Sequence, residues 1–217
     1  MPIFSFKKSA LGIISLLVVT SLLIRLFFIG SQSLLIEEAY YWNYAMHLDF
    51  GYLDHPPLVA VLIKCSTMLF GTNEFGVRFP ALVSWFITAY FSYRWAECIK
   101  KGAGVYALLL LSILPAFFVF SFLMTPDILL MACWSAGLYT LYRALCLGEA
   151  SAWYYAGIVI VIGHFGKYTT GLLILTTGMY LLCVPNARFW FLRKEPYIAL
   201  LIALLLFSPV IYWNATH

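Results

Sequence analysis

Apolar runs of roughly 17 to 21 residues recur along this chain, and a helix of that length crosses a hydrocarbon core of about 30 Å. No other feature narrows the fold as much. Inside lipid every backbone polar group needs an internal partner, so spans of this length form helices and not an open sheet. Composition agrees: 64% of the 217 residues are hydrophobic and only 10% are charged, against about a quarter charged in soluble domains. The mean hydropathy is +0.93. A soluble enzyme or a nucleic-acid-binding module does not have this make-up. The expected fold class is all-α, a polytopic transmembrane helical bundle.

Seven spans are expected, near Ala10–Gly30, Phe79–Ala96, Ala103–Leu123, Ile128–Leu145, Trp153–Phe165, Tyr168–Val184 and Tyr197–Trp213. The first is too long for a signal-peptide core, and no small-residue cleavage site follows it, so it reads as a retained anchor. With the N-terminus inside, Lys7, Lys8, Arg94, Lys100, Lys101, Arg143, Arg188, Arg193 and Lys194 fall on the cytoplasmic side, as the positive-inside rule requires. Glu37, Glu38, Asp49, Asp54, Glu74, Asp127 and all four histidines fall on the opposite side. Pro57–Phe70 is apolar but short and carries Lys64, so a helix lying at the outer interface is expected there. Gly163, Gly166 and the polar run Lys167–Thr170 mark a turn between two spans. The five cysteines are scattered, with no metal spacing, and read as packing residues.

Three polar stretches then meet on the outer face: 37–57, 125–127 and 164–170. The first, EEAYYWNYAMHLDFGYLDHPP, gathers four carboxylates in a chain with only nine. Each residue also has a plain reading. Tyr40, Tyr41, Trp42 and Tyr44 fit an interfacial aromatic belt, and Asp49 fits a helix flank. Asp127 fits a helix N-terminal acid behind Pro126. Lys167 fits a snorkelling cation, and Arg25, Arg78 and Lys64 fit lipid-phosphate contacts or snorkelling groups. His164 fits a packed histidine. Together the residues have a second reading. Adjacent carboxylates can act as a base or hold a divalent cation, while a facing cation steadies a departing phosphate.

The stretch Glu37–Trp42, followed by His47-Leu48-Asp49-Phe50-Gly51-Tyr52-Leu53-Asp54-His55-Pro56-Pro57-Leu58, resembles the bacterial branch of the protein O-mannosyltransferase superfamily. These are polytopic glycosyltransferases of the GT-C fold, among them lipid A aminoarabinose transferases and lipopolysaccharide-core galacturonosyl transferases. Further matches follow in family order at Phe75–Pro80, Met124–Asp127, Gly166–Thr169 and Ser208–Ala215. The resemblance implies transfer of a sugar, with inversion, from a polyprenyl-phosphate donor to a lipid or protein acceptor in the periplasm. It puts the enzyme in the bacterial inner membrane, among membrane lipids, and implies no nucleic-acid partner.

By the same resemblance Glu37, with Glu38 beside it, and Asp127 are the catalytic acids, and Glu37 and Asp127 are the candidate ligands of a divalent cation (Mg, Mn or Zn). Asp54, His55, Lys167, Tyr168 and Arg78 are the candidate substrate-binding residues. The usual Asp-Glu pair is Glu37-Glu38 here, and the usual Ser before Lys-Tyr-Thr is Gly166. Residues 1–217 read as a single transmembrane domain, the N-terminal part of a longer enzyme, with a periplasmic first loop over 31–78. Two other classes use the same acids: a transporter or lipid-binding protein, and an inactive remnant that keeps the fold. Mid-span positions are mostly apolar, which weighs against transport.

Overall fold

The computed structural model describes residues 8–217, and no strand occurs among them. The expectations for Lys7 and the N-terminal end lie outside the described residues. Ten α-helices follow in order: α1 (Lys8–Phe28), α2 (Ile36–Met46), α3 (Leu58–Phe70), α4 (Glu74–Ile99), α5 (Gly104–Ile113), α6 (Pro115–Phe120), α7 (Pro126–Leu145), α8 (Ala152–Gly166), α9 (Leu172–Cys183) and α10 (Glu195–Thr216). Short 3-10 helices cover Tyr168–Gly171 and Pro185–Leu192. The all-α membrane fold is as expected.

The span pattern is more broken than the hydropathy alone indicates. Helices α7 and α10 have 20 and 22 residues and are long and apolar enough to cross a membrane, at about 30 Å and 33 Å of rise. Tyr168–Cys183 with Pro185–Leu192 makes a third if that pair, bent by 112°, counts as one span. The stretch expected at Ala103–Leu123 is split into α5 and α6. Leu114 is extended (φ −69, ψ 125) because the Pro115 ring drives its neighbour out of the helical region. The expected span Phe79–Ala96 sits inside α4, whose 26 residues include Glu74, Arg78, Arg94 and Glu97. The stretch 31–78 holds α2, α3 and the first turn of α4.

Helix α7 lies at the centre, packed between α4 and α8, while α10 lies on α8, α3 lies against α4, and α2 lies on α3. Small residues allow the tightest of these contacts. A Cβ added at Gly157 on α8 would stand 2.7 Å from the Ala199 carbonyl oxygen of α10, so only glycine permits that approach. Two apolar cores result. One joins Tyr41, Ala45, Val59, Ile63, Val77, Trp85, Met124 and Ile128 at the end of the bundle where α7 begins. The other joins Ala144, Trp153, Leu181, Trp190 and Ala199 at the opposite end. The first core is the floor on which the polar stretches rest.

Candidate functional site

Successive residues on a helix point about 100° apart, and this separates the two neighbouring acids of α2. Glu38 is fully buried and Arg78 is 2% exposed. Arg78 Nε donates to Glu38 Oε1 at 2.8 Å and Nη2 donates to Oε2 at 2.7 Å. The backbone N–H groups of Met124 (3.1 Å) and Leu35 (3.0 Å) donate to the same carboxylate. Arg78 spends its remaining donors on the carbonyls of Ile29, Gln32 and Ser33. One ion pair thus ties the chain after α1, the start of α2, the start of α4 and the residues before α7. Two expectations are corrected here. Glu38 has no oxygen left for catalysis, and Arg78 has no N–H left for a substrate or lipid phosphate.

Arg25 is corrected in the same way. It is fully buried, its guanidinium lying 4.3 Å from the Trp85 ring and 4.6 Å from the Phe118 ring. Its Nε donates to Ser121 Oγ and its Nη1 to the Ser21 carbonyl. A guanidinium held between two aromatic faces is inside the protein and not at a lipid phosphate, although its Nη2 has no hydrogen-bond partner. Lys64 is half-buried on α3.

Glu37, by contrast, is exposed and has no hydrogen bond or ion pair among the described residues. One turn further along α2 is Tyr41, only 4% exposed. Its phenol is pushed up from 10.0, first by burial and then by the charges of Glu37, Asp54 and Asp127. The charges of three carboxylates, two from the stretch 37–57 and one from the start of α7, thus bear on one buried tyrosine. Sequence reading placed Tyr41 in an aromatic belt; the available signal was its spacing of four residues from Glu37.

Asp54 is held by tyrosines. Tyr44 donates to its Oδ1 at 2.7 Å and Tyr40 at 3.3 Å, while His55 Nδ1 stands 3.2 Å from Oδ2. Tyr44 and Tyr52 stack with centroids 3.9 Å apart, and Tyr52 donates to the carbonyls of Tyr44 and His47. These bonds fold residues 47–55 back onto α2. The Tyr41 ring meets the His55 ring edge-on at 5.4 Å, which joins this loop to the Glu37 side of the site.

Asp127 stands in the first turn of α7, behind Pro126, where the helix dipole favours an anion. Lys167, extended between α8 and the 3-10 helix, places Nζ 2.6 Å from Asp127 Oδ1. Both side chains are partly open, at 27% and 40% exposure. Tyr168 follows, exposed, and accepts a hydrogen bond from Asn214 Nδ2 at 3.1 Å. Beside this pair runs an apolar groove of about 440 Å³ between α3, α4, α7 and α8, lined by Leu58, Phe79, Phe91, Leu129, Ala136 and Ile162. A second cavity of about 450 Å³, lined by Asp49, Phe50, Pro57 and Phe165, shares Leu58 with it. Gly166, next to Lys167, lies against Leu129 and Leu58 of these linings.

The described residues form no ready-made cluster for a divalent ion. Among the described residues no group of three or more His, Cys, Asp and Glu side chains is arranged to hold a metal, and the Lys167 ammonium already occupies Asp127. No chemical step below runs through a metal.

The chain is 22% identical over 188 residues to lipid A galacturonosyltransferase RgtD of Rhizobium johnstonii, a match covering 84% of this chain and 38% of that protein. It thus spans well under half the length of this relative. No solved structure matches the chain. The family model for dolichyl-phosphate-mannose-protein mannosyltransferases matches residues 54–213, from the Asp54-His55 loop to Trp213 at the end of α10. On that match over most of its length, the chain belongs to the dolichyl-phosphate-mannose-protein mannosyltransferase family, within the GT-C superfamily.

Proposed function

We propose that this chain forms the reaction site of a membrane glycosyltransferase that takes a sugar from a polyprenyl-phosphate donor and passes it to a lipid or protein acceptor. The observation that carries the reading is the partly open Lys167–Asp127 pair, next to Gly166, which lies against the Leu58 and Leu129 lining of the apolar groove, with Glu37 unpaired one turn before Tyr41. The groove suits a polyprenyl tail, and the ammonium suits the phosphate at its head. Glu37 takes the proton of the acceptor hydroxyl as its oxygen attacks the anomeric carbon. The bond from that carbon to the phosphate oxygen breaks, and its electron pair stays on the phosphate, facing Lys167. Attack from the side opposite the departing phosphate inverts the anomeric centre.

The site end is assigned to the periplasm and the opposite end to the cytoplasm of a bacterial inner membrane. Arg94 and Arg143 lie towards the C-terminal ends of α4 and α7, Lys100 and Lys101 directly follow α4, and Arg188, Arg193 and Lys194 lie between α9 and α10. These cations thus gather at the end away from the site, as the positive-inside rule requires of a cytoplasmic face. The test is release of polyprenyl phosphate from a polyprenyl-phosphate-linked sugar by the purified chain with an acceptor lipid, followed by mass spectrometry. Release by the wild type and none by Glu37→Gln supports the reading. Binding of the donor with no release by either protein favours a lipid-binding role instead.

A further inference from the structure

The stretch Ser208–Ala215 resembles the family in sequence, and only Asn214, through its bond to Tyr168, has entered the site so far. In the structure it is the site end of α10, and its last turn makes two contacts far along the chain. Trp213 lies against Gly51: a Cβ added at Gly51 would stand 2.5 Å from the Trp213 ring. Only glycine lets the loop that carries Asp54 and His55 lie so close to α10. One residue on, Asn214 Nδ2 donates to Tyr168 Oη at 3.1 Å and to the Val210 carbonyl at 3.0 Å.

The second contact has a chemical consequence. A phenol oxygen that accepts a hydrogen bond keeps its own hydrogen for another partner. The Asn214 carboxamide, held to the helix by its bond to Val210, presents only N–H to that oxygen. Tyr168 follows Lys167 in the chain and is 39% exposed, so its O–H is open to a ligand arriving at that turn.

We infer that Asn214 is a positioning residue: it sets the polarity of Tyr168 so that the phenol donates to the anionic oxygen of a lipid phosphate held by Lys167. The inference rests on the lipid-phosphate reading above and adds a residue from α10 to that site. Carbonyl or hydroxyl oxygens at residue 214 would accept the phenol hydrogen and turn it away from the ligand.

The test is a double-mutant cycle read by binding of polyprenyl phosphate, the lipid without its sugar, to the full chain in detergent. Native mass spectrometry gives the bound fraction for the wild type, Asn214→Leu, Tyr168→Phe and the double variant. Leu is close to Asn in size and carries no charge, and position 214 is exposed, so thermal unfolding should stay at the wild-type midpoint. Each single variant should weaken binding by about threefold to tenfold, the size of one net hydrogen bond. The double variant should bind no more weakly than Tyr168→Phe alone, because without the hydroxyl Asn214 has nothing to orient. Wild-type affinity in Asn214→Leu, or losses that multiply in the double variant, would overturn the inference and leave the lipid-phosphate reading standing. Failure of the wild type to bind polyprenyl phosphate overturns both.

Discussion

Lys167 Nζ lies 2.6 Å from Asp127 Oδ1, although the two residues are 40 positions apart, at the two open ends of the α7–α8 hairpin. The pair is partly open to solvent, so it adds little to stability; exposed ion pairs contribute about 0–1 kcal/mol. Its value lies in holding a cation that is partly open to a ligand. Lys167→Ala should lower turnover by about a hundredfold to a thousandfold, as loss of a positioned charge-stabilising group does. The protein should still fold to wild-type yield. The check is turnover per folded molecule; an unchanged rate would make the lysine an anchor at the membrane surface.

Glu37 and Glu38 should respond in opposite ways to the same substitution. Glu37→Gln leaves an exposed amide on α2 and should abolish transfer while the detergent-purified protein elutes and melts like the wild type. Glu38→Gln breaks a pair buried at 0% and 3% side-chain exposure, and an uncompensated buried charge costs about 3–5 kcal/mol. Most of that variant should be lost to aggregation or proteolysis before activity can be read. Comparing folded yield by size-exclusion fluorescence, Glu38→Gln against Glu37→Gln, separates the two roles. Equal yields would show that the buried pair is not what holds α2 to α7.

The start of α7 at Pro126 and the turn at Gly166–Thr170 were legible in the sequence because proline and glycine act locally. The family motifs were legible too. The partners were not. Glu38 and Arg78 look like surface charges in sequence, and only the fold shows that they consume each other and the backbone around them. Arg25 reads as a charge misplaced in a span until Trp85 and Phe118 close on it. The break at Leu114-Pro115 had a local signal, but a run of apolar residues hides it from any average of hydropathy. Long-range pairing decides which charges are free for chemistry, and a single sequence does not carry it.

Chelation should leave activity unchanged. Lys167 supplies at Asp127 the positive charge that a divalent ion would otherwise bring, and no cluster of three ligating side chains stands among the described residues. Donor turnover measured after dialysis against EDTA, with and without added Mg²⁺, Mn²⁺ or Zn²⁺, should agree within error. A loss on chelation that one of these ions restores would place a metal at the site and leave Lys167 a different task.

Acid should loosen the loop over residues 47–55 only at very low pH. Burial alone would raise the Asp54 carboxyl, but bonds from Tyr44, His55 and Tyr40 outweigh it and hold the group below its ordinary 3.8. With the folded value the lower one, Asp54's contribution is complete above the unfolded value and is lost as pH falls through the folded one. Between pH 5 and 8 the loop should therefore keep constant protection against amide hydrogen exchange, once intrinsic rates are corrected. Asp54→Asn imitates the neutral acid and should expose the same amides, Asp49 to His55, already at pH 7. Equal protection in the variant and the wild type would mean that the Tyr44–Tyr52 stack, at 3.9 Å, holds the loop without the carboxylate.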